Sequence, residues 1–164
     1  MAIEIRTGIR EDAFEVRKRV FMDEQGYENE FDAIDEDPRC LHVTVYMDGE
    51  LAGCSRVFPE PLERMLAPDA PQSPASPFDE GVSAHRVYLL GRVAVLPEFR
   101  RRGLASKIIN ASDAAASKAG AQLIKLHAQE YVKELYAGQG YEQISPVDYE
   151  DEGQPHLWMA KRLG

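Results

Sequence analysis

The chain of 164 residues is 44% apolar and 9% aromatic, enough to bury the core of one globular domain, so we expect a single domain over residues 1–164. Its formal net charge of −9 argues against general binding to nucleic acid or to an acidic membrane, because the mean field repels polyanions. The chain starts without a signal-peptide pattern and has no apolar run of roughly 20 residues, which predicts a cytoplasmic protein.

The first part of the chain predicts a strand, a helix and a hairpin. Residues 3–5 alternate apolar and polar side chains as a short strand does, and a helical apolar spacing runs from about residue 11 to residue 26. Two apolar strands follow at residues 41–47 and 50–58. They are separated by Asp48-Gly49, a strong signal for a two-residue hairpin turn.

Two connecting segments have biased compositions. Residues 23–37 contain eight acidic residues and no lysine or arginine, which predicts a solvated loop or short helical turns. Residues 59–84 contain six prolines and cannot supply a ladder of backbone donors, so we expect a long loop inserted in the domain.

The second half alternates strands and helices. Strands are predicted at residues 87–95, 121–128 and 156–163, and helices at residues 104–119 and 130–137. Together with the first half, this order predicts a mixed α/β sheet flanked by helices.

No metal site is expected. Cys40 and Cys54 form no C-x-x-C pair and fit no metal-ligand spacing, so they are expected to be structural thiols. The acidic segment 23–37 lacks the glycine and the terminal glutamate of a calcium-binding loop.

Three consecutive arginines stand where a strand turns into a helix. The strand ends at Pro97, and the helix begins after Arg100, Arg101, Arg102 and Gly103. The first N–H groups of a helix lack intrahelical partners and lie at the positive end of its dipole, and a glycine there lets an anion approach the backbone. This order favours a phosphate site over an exposed run that only solubilises the helix end.

The absence of two common phosphate-binding motifs limits the classes of ligand that this site could bind. There is no G-x-x-x-x-G-K-[ST] and no G-x-G-x-x-G, so neither a nucleoside triphosphate nor a dinucleotide site is indicated. The pattern V-x-V-x-P-x-x-R-x-x-G-x-A, from Val93 to Ala105, resembles the acetyl-CoA motif of the GNAT superfamily of N-acyltransferases. The predicted element order also fits that fold over almost the whole chain.

This resemblance implies a mostly antiparallel, twisted sheet whose central strand pair splays apart, and acetyl-CoA as cosubstrate. Peptide groups of the motif strand would pair with the pantetheine arm, and the peptide of Val93 would donate to the thioester carbonyl. Backbone N–H groups at the helix start would bind the pyrophosphate. The residues implied in cofactor binding are Val93, Ala94, Val95, Arg100, Arg101, Arg102, Gly103, Leu104, Ala105 and Ser106.

A second part of the resemblance lies near the end of the chain. Tyr136 precedes Gly140-Tyr141 as in the family motif whose tyrosine lies near the CoA sulfur, which implies a phenol that protonates the departing thiolate. Gln129 stands where the family often has an asparagine that contacts the cofactor. Without the resemblance, Tyr136 would be read as a packing residue.

The base that deprotonates the acceptor amine is left open by the sequence. Many relatives carry a glutamate on the motif strand, but residues 88–91 contain no acid. His127 is our candidate because imidazole titrates near neutral pH, and Glu24, His42 and a relaying water are alternatives.

The acceptor is expected to be a small amine, an amino sugar or a peptide lysine. The acidic residues of segments 23–37 and 148–152 would favour a cation if they face the acceptor pocket. Two other classes remain open, namely a CoA-binding module without turnover and a phosphate-ligand regulator unrelated to CoA. A homodimer through the last strands is a further expectation.

Overall fold

The computed structural model describes residues 2–164, and the strands found there join one sheet of eight. Neighbouring strands are antiparallel except for the fourth and fifth, which run parallel. The predicted mixed, mostly antiparallel sheet is confirmed. In spatial order the strands are β1 (Ile3–Thr7), β2 (Leu41–Met47), β3 (Glu50–Pro59), β4 (Val87–Val95), β5 (Leu123–Gln129), β8 (Gln154–Arg162) and β6 (Glu142–Gln143), with β7 (Asp148–Asp151) also paired to β8.

The β2–β3 hairpin forms at the predicted turn. Asp48 and Gly49 have φ values of 51° and 85°, the left-handed conformations that a two-residue turn of the right twist requires. Aspartate tolerates this region and glycine adopts it without a steric penalty.

The helices cover both faces of the sheet. On β3, Ser55 is hydrogen-bonded to Ser112 of α3 (Leu104–Lys118), whereas the next residue, Arg56, contacts Asp35 in the segment that follows α1 (Arg10–Arg17). Successive strand residues point to opposite faces, so α1 and α3 lie on opposite sides. The α3 side is filled by Ile109, Ile124, Leu126 and Leu157, all buried.

The first helix changes geometry before it ends. It continues beyond Arg17 as π-helical turns over Lys18–Glu24, and the chain leaves it at Gly26. The predicted end near Gly26 is confirmed, but the wider turn was not foreseen. Such turns are uncommon and often lie at functional sites.

The proline-rich segment 59–84 is more structured than the expected long loop. It contains α2 (Pro61–Leu66) and a short 3-10 turn at Pro77–Asp79. The buried ammonium of Lys125 binds Glu60 Oε2 at 3.0 Å and Asp79 Oδ2 at 2.7 Å. A buried lysine needs such partners, so β5 holds both ends of the segment against the sheet.

The last helix, α4 (Lys133–Ala137), is short and follows β5. None of the helices among residues 2–164 is both long enough and apolar enough to cross a membrane.

Candidate active site

The two central parallel strands separate at their carboxyl ends. β4 pairs with β5 only as far as Leu90 and Leu126, beyond which β4 pairs with β3 and β5 pairs with β8. The pairing with β3 also skips Arg92 and Val93, where Arg92 has a φ of 55°. The edge of residues 91–95 that faces β5 is therefore free of a strand partner, as the splayed pair requires.

A cleft of about 850 Å³ passes through this gap. The start of α3 lines one end of it, and the ends of β5 and of the β7–β8 hairpin line the other. All but one of the site residues proposed from the sequence lie along the cleft, namely Val93, Ala94, Val95, Arg100, Arg101, Gly103, Leu104, Ala105, Ser106, His127, Gln129 and Tyr136.

The exception is Arg102. Its Nη1 lies 3.4 Å from the Met47 sulfur, and its guanidinium lies over the ring of Phe99, 5.7 Å from the centroid. The Arg102 side chain does not line the cleft, and its role in cofactor binding stays a prediction. Arg101 has a φ of 64°, and this turn in the backbone makes the side chains of the three consecutive arginines point in different directions.

The start of α3 is an open backbone cradle. Gly103 has φ of 75°, and no side chain caps the helix. A Cβ added at Gly103 would meet no atom within 4 Å, so the space in front of the helix end is open. Uncapped N–H groups at the positive end of a 15-residue helix suit a pyrophosphate, and this geometry fits the cosubstrate that the sequence motif implies.

Tyr136 lies in the cleft wall on α4. Its side chain is buried, its ring packs edge-on against Tyr141, and its hydroxyl makes no hydrogen bond within residues 2–164. Burial raises the pKa of the Tyr136 phenol well above its ordinary value. The phenol therefore stays protonated near neutral pH and is available there as a proton donor.

His127 lies at the opposite wall, near the end of β5. Its Nε2 is 3.0 and 3.1 Å from the two carboxylate oxygens of Asp148. Its ring stacks on Trp158 at 4.6 Å, and that of His156 is 4.8 Å away. The side chain is thus held in one orientation beside the cleft.

The two other predicted bases are less suited to the role. The carboxylate of Glu24 lines the cleft, but both of its oxygens bind Arg100, whose hydrogen bonds hold the pKa of Glu24 below its usual range. His42 is buried away from the cleft lining, and its Nε2–H donates to the carbonyl of Asp35 at 3.2 Å.

The acidic segment 23–37 contains a short 3-10 turn at Ala33–Glu36, one of the two predicted forms, but it is not uniformly solvated. Glu30 and Asp35 are 4% and 2% exposed. Arg17, with no exposed surface, binds Asp35 at 2.7 and 2.9 Å and Glu30 at 2.9 Å, and Arg56 binds both Asp32 and Asp35. Three arginines, with Arg92 beside Glu30, neutralise these three acids, so they add little negative potential at the cleft.

The same segment approaches two other ligand-type side chains without making a metal site. Asp35, Cys40 and His42 have ligand atoms within 4.8 Å of one another. The oxygens of Asp35, however, already accept from Arg17 twice, from Arg56 and from the Asp32 N–H. Burial raises the pKa of the Cys40 and Cys54 thiols to about 12, so both are inert structural groups at neutral pH.

Sequence reasoning missed part of the cleft lining. Tyr27, Gln25 and His156 line the cleft, and the hydroxyl of Tyr27 accepts a 3.1 Å hydrogen bond from Gln129 Nε2. The alternation of His156 with Trp158 on the final strand was the available signal, since it places both side chains on the face that carries His127.

The fold and cleft agree with the comparisons to known proteins. A model of the acetyltransferase (GNAT) family matches residues 4–141. The chain therefore belongs to the GNAT family, and it is an acyltransferase that uses acetyl-CoA. The resemblance seen in the sequence is confirmed.

Relatives and solved structures extend this likeness over nearly the whole chain. The uncharacterized N-acetyltransferase YjcF of Bacillus subtilis is 31% identical over 152 residues, covering 92% of this chain and 90% of that protein. ElaA of Escherichia coli superposes with a TM-score of 0.73 at 19% identity, covering 98% and 100% of the two chains. An aminoglycoside 6′-N-acetyltransferase complexed with coenzyme A gives 0.65 at 15% identity, covering 97% and 96%.

Proposed function

We propose that this protein transfers the acetyl group of acetyl-CoA to a primary amine by direct attack of the amine on the thioester. The acceptor is a small amine, an amino sugar or a peptide lysine. The observation that supports this most strongly is the cleft through the strand gap, because it joins the uncapped start of α3 to His127 and Tyr136.

The residues from Val93 to Ser106 form the cosubstrate side. The free edge of β4 offers peptide groups for the pantetheine arm, with Val93 N–H as the donor to the thioester carbonyl. The N–H groups around Gly103 to Ser106 bind the pyrophosphate, and the guanidinium of Arg101 adds positive charge at the cleft, whereas that of Arg100 is paired with Glu24. Gln129 faces this cleft from β5.

The two proton transfers of the reaction are assigned to His127 and Tyr136. Acetyl-CoA supplies a thioester carbon for attack, but an alkylamine of pKa about 10.4 is almost wholly protonated at neutral pH. His127 takes that proton, which frees the nitrogen lone pair. Tyr136, kept protonated by burial, donates to the sulfur as the carbon–sulfur bond breaks.

The acceptor end of the cleft carries negative charge. Asp151 and Glu152 of the β7–β8 hairpin line it. Among residues 2–164, the basic residues that line any part of the cleft are Arg92, Arg100 and Arg101. Arg92 is engaged by Glu30 at 2.8 Å, and Arg100 by Glu24. A cationic amine is therefore favoured over an anionic acceptor at this end.

A coupled assay of CoA release tests the proposal. A panel would contain a polyamine, an amino sugar and a lysine peptide, each beside its hydroxyl analogue. We expect turnover with at least one amine and none with its analogue. Acetyl-CoA binding without transfer to any amine would contradict the proposal and point to a binding module.

A further inference from the structure

The three strands β5, β8 and β7 carry a row of polar side chains on one face of the sheet. In the registers, Trp158 of β8 lies opposite His127, and His156 lies opposite both Gln129 and Asp148. Side chains that are directly opposite share a face. His127 therefore reaches diagonally past His156 to Asp148, which comes from the acidic hairpin rather than from its own strand.

The contact with Asp148 distinguishes the two nitrogens of the ring. A neutral imidazole has one N–H and one lone pair, and an ionised carboxylate can only accept. Both carboxylate oxygens lie within 3.1 Å of Nε2, so Nε2 carries the hydrogen. Nδ1 makes no hydrogen bond to any residue from 2 to 164 and is left as the lone-pair atom of a side chain that lines the cleft.

The neighbouring histidine has the opposite arrangement. His156 Nδ1 lies 2.8 Å from the carbonyl of Gln154, which can only accept, so Nδ1 is the N–H atom of that ring. Its Nε2 lies 3.7 Å from Asp151 Oδ2. Two adjacent histidines in one cleft are thus held by different partners, and only His127 has its hydrogen-bearing nitrogen on a carboxylate.

We propose that Asp148 is a positioning residue that holds His127 as the Nε2–H tautomer, with Nδ1 as the atom that takes the proton from the acceptor amine. In this step one ammonium N–H bond breaks, one Nδ1–H bond forms, and the electron pair stays on the amine nitrogen. The imidazolium is balanced by the Asp148 carboxylate and later releases its proton to solvent. This inference rests on the proposed function.

Nitrogen-15 NMR of the imidazoles reads the tautomer without any turnover. The spectrum would be recorded at about pH 8, above the ordinary histidine pKa of about 6.5, and the His127 signals would be assigned by their loss in His127→Asn. We expect the wild-type ring to be the Nε2–H tautomer. A predominant Nδ1–H tautomer in the wild type would overturn the proposal, and this arm needs no variant of Asp148.

Asp148→Asn then tests the carboxylate. An amide can either accept from or donate to Nε2, so we expect a mixture of tautomers, while the amide oxygen still accepts from the Glu150 N–H as the carboxylate does at 3.2 Å. The matched control is Glu150→Gln, which removes a charge from the same strand at an exposed side chain outside the cleft. An unchanged tautomer in Asp148→Asn would overturn the proposal.

Kinetics separate this inference from the proposed function. Asp148→Asn should lower kcat by about tenfold to a hundredfold, at or below the lower end of the ~10²–10⁴ that a positioned base supplies, with KM for acetyl-CoA unchanged. Asp148→Glu should restore part of the rate. If the wild type shows the Nε2–H tautomer but neither it nor any variant acetylates an amine, the proposed function alone is contradicted. If Asp148→Asn keeps the wild-type kcat, the positioning role alone is contradicted.

Discussion

Arg100 and Glu24 form a two-pronged ion pair between the loop before α3 and the end of the π-helical turns. Nη1 and Nη2 of Arg100 lie 2.7 and 2.6 Å from the two carboxylate oxygens, and Nε binds the carbonyl of Val95 at 2.9 Å. The pair neutralises a guanidinium beside the proposed binding site of the polyanionic cosubstrate. Its strength is limited, because both side chains are more than one-third exposed.

Removing this carboxylate should tighten cosubstrate binding. In Glu24→Gln, Arg100 is freed, and we expect the Kd for acetyl-CoA to fall by up to about fivefold, the upper limit that ~0.2–1 kcal/mol of an exposed pair allows. Calorimetric titration at low and high salt measures it, and the gain should shrink as salt rises. The control is Glu98→Gln, whose carboxylate pairs with Arg19 outside the cleft. A weakened affinity in Glu24→Gln would show that the pair positions Arg100 for the cosubstrate instead.

Gly103 tests the backbone cradle. Alanine and glutamate share the cost of a left-handed φ, roughly 1–2 kcal/mol, and their Cβ atoms both enter open space. Gly103→Ala should therefore bind acetyl-CoA within about fivefold of wild type. Gly103→Glu should lose at least about a hundredfold, since like charges 4 Å apart repel by ~4 kcal/mol at an intermediate dielectric. Equal affinities of the two variants in calorimetric titration would contradict the cradle.

The cosubstrate side could be predicted because its parts are contiguous in the chain. A strand end, a glycine with positive φ and a helix start stand within residues 93–106, and the proposed binding uses mostly backbone groups. The direction of the Arg102 side chain could not be predicted, because the composition gives no sign of the turn at Arg101. The prediction that Gln129 and Tyr136 belong to the same site came from the family resemblance.

The acceptor side could not be predicted because it is assembled from distant segments. A count of charges in segment 23–37 cannot tell that Arg17, on an apolar helix face beside Val16, lies inside the protein with Glu30 and Asp35.

The sequence contained one signal for the structure of the proline-rich segment that was overlooked. Lys125 stands alone between Ile124 and Leu126 in a buried strand, and such a lysine requires carboxylate partners, here supplied by Glu60 and Asp79 of the proline-rich segment. The cytoplasmic location and the homodimer stay predictions.

Phenylalanine substitutions at Tyr136 and Tyr141 distinguish the proposed catalytic phenol from a structural one. The Tyr136 hydroxyl has no hydrogen bond among residues 2–164, so Tyr136→Phe should fold normally and bind acetyl-CoA within about threefold. Its kcat should fall by about tenfold to a hundredfold, less than the ~10²–10⁴ typical of a positioned acid, because a thiolate leaves readily. An unaltered kcat in steady-state assays would remove Tyr136 from the reaction.

Tyr141→Phe is the matched change and should behave in the opposite way. The Tyr141 hydroxyl donates to Asp113 at 2.6 Å, and Asp113 also binds Lys161. Loss of this buried bond should lower the free energy of unfolding by about 1–3 kcal/mol, because Asp113 is left short of a donor. Its kcat should stay within about twofold, since the residue does not line the cleft. Urea denaturation and the same assay report both quantities.

Acid should destabilise the protein through the arginine cluster around Asp35. Burial alone raises the pKa of Asp35, but hydrogen bonds from Arg17 and the charge of Arg56 outweigh it and hold that pKa well below its usual range. The pKa of Asp32 is likewise lowered, chiefly by Arg56 against the effect of burial. An unfolded aspartate protonates near pH 3.9, so below about pH 5 the unfolded state takes up protons that the folded state does not.

The free energy of unfolding should therefore be nearly constant from about pH 7 to pH 5 and fall steeply as the pH drops below about 4. Asp32→Asn tests the cause, because asparagine still caps the turn at Asp35 but loses the charge facing Arg56. This variant should be about 1–3 kcal/mol less stable at neutral pH, as for a lost hydrogen bond to a charged group, and its stability should decline less steeply in acid. Asp69→Asn, at an exposed aspartate, should retain the wild-type slope. Parallel slopes for Asp32→Asn and wild type in urea titrations from pH 7 to 3 would mean that other carboxylates cause the acid sensitivity.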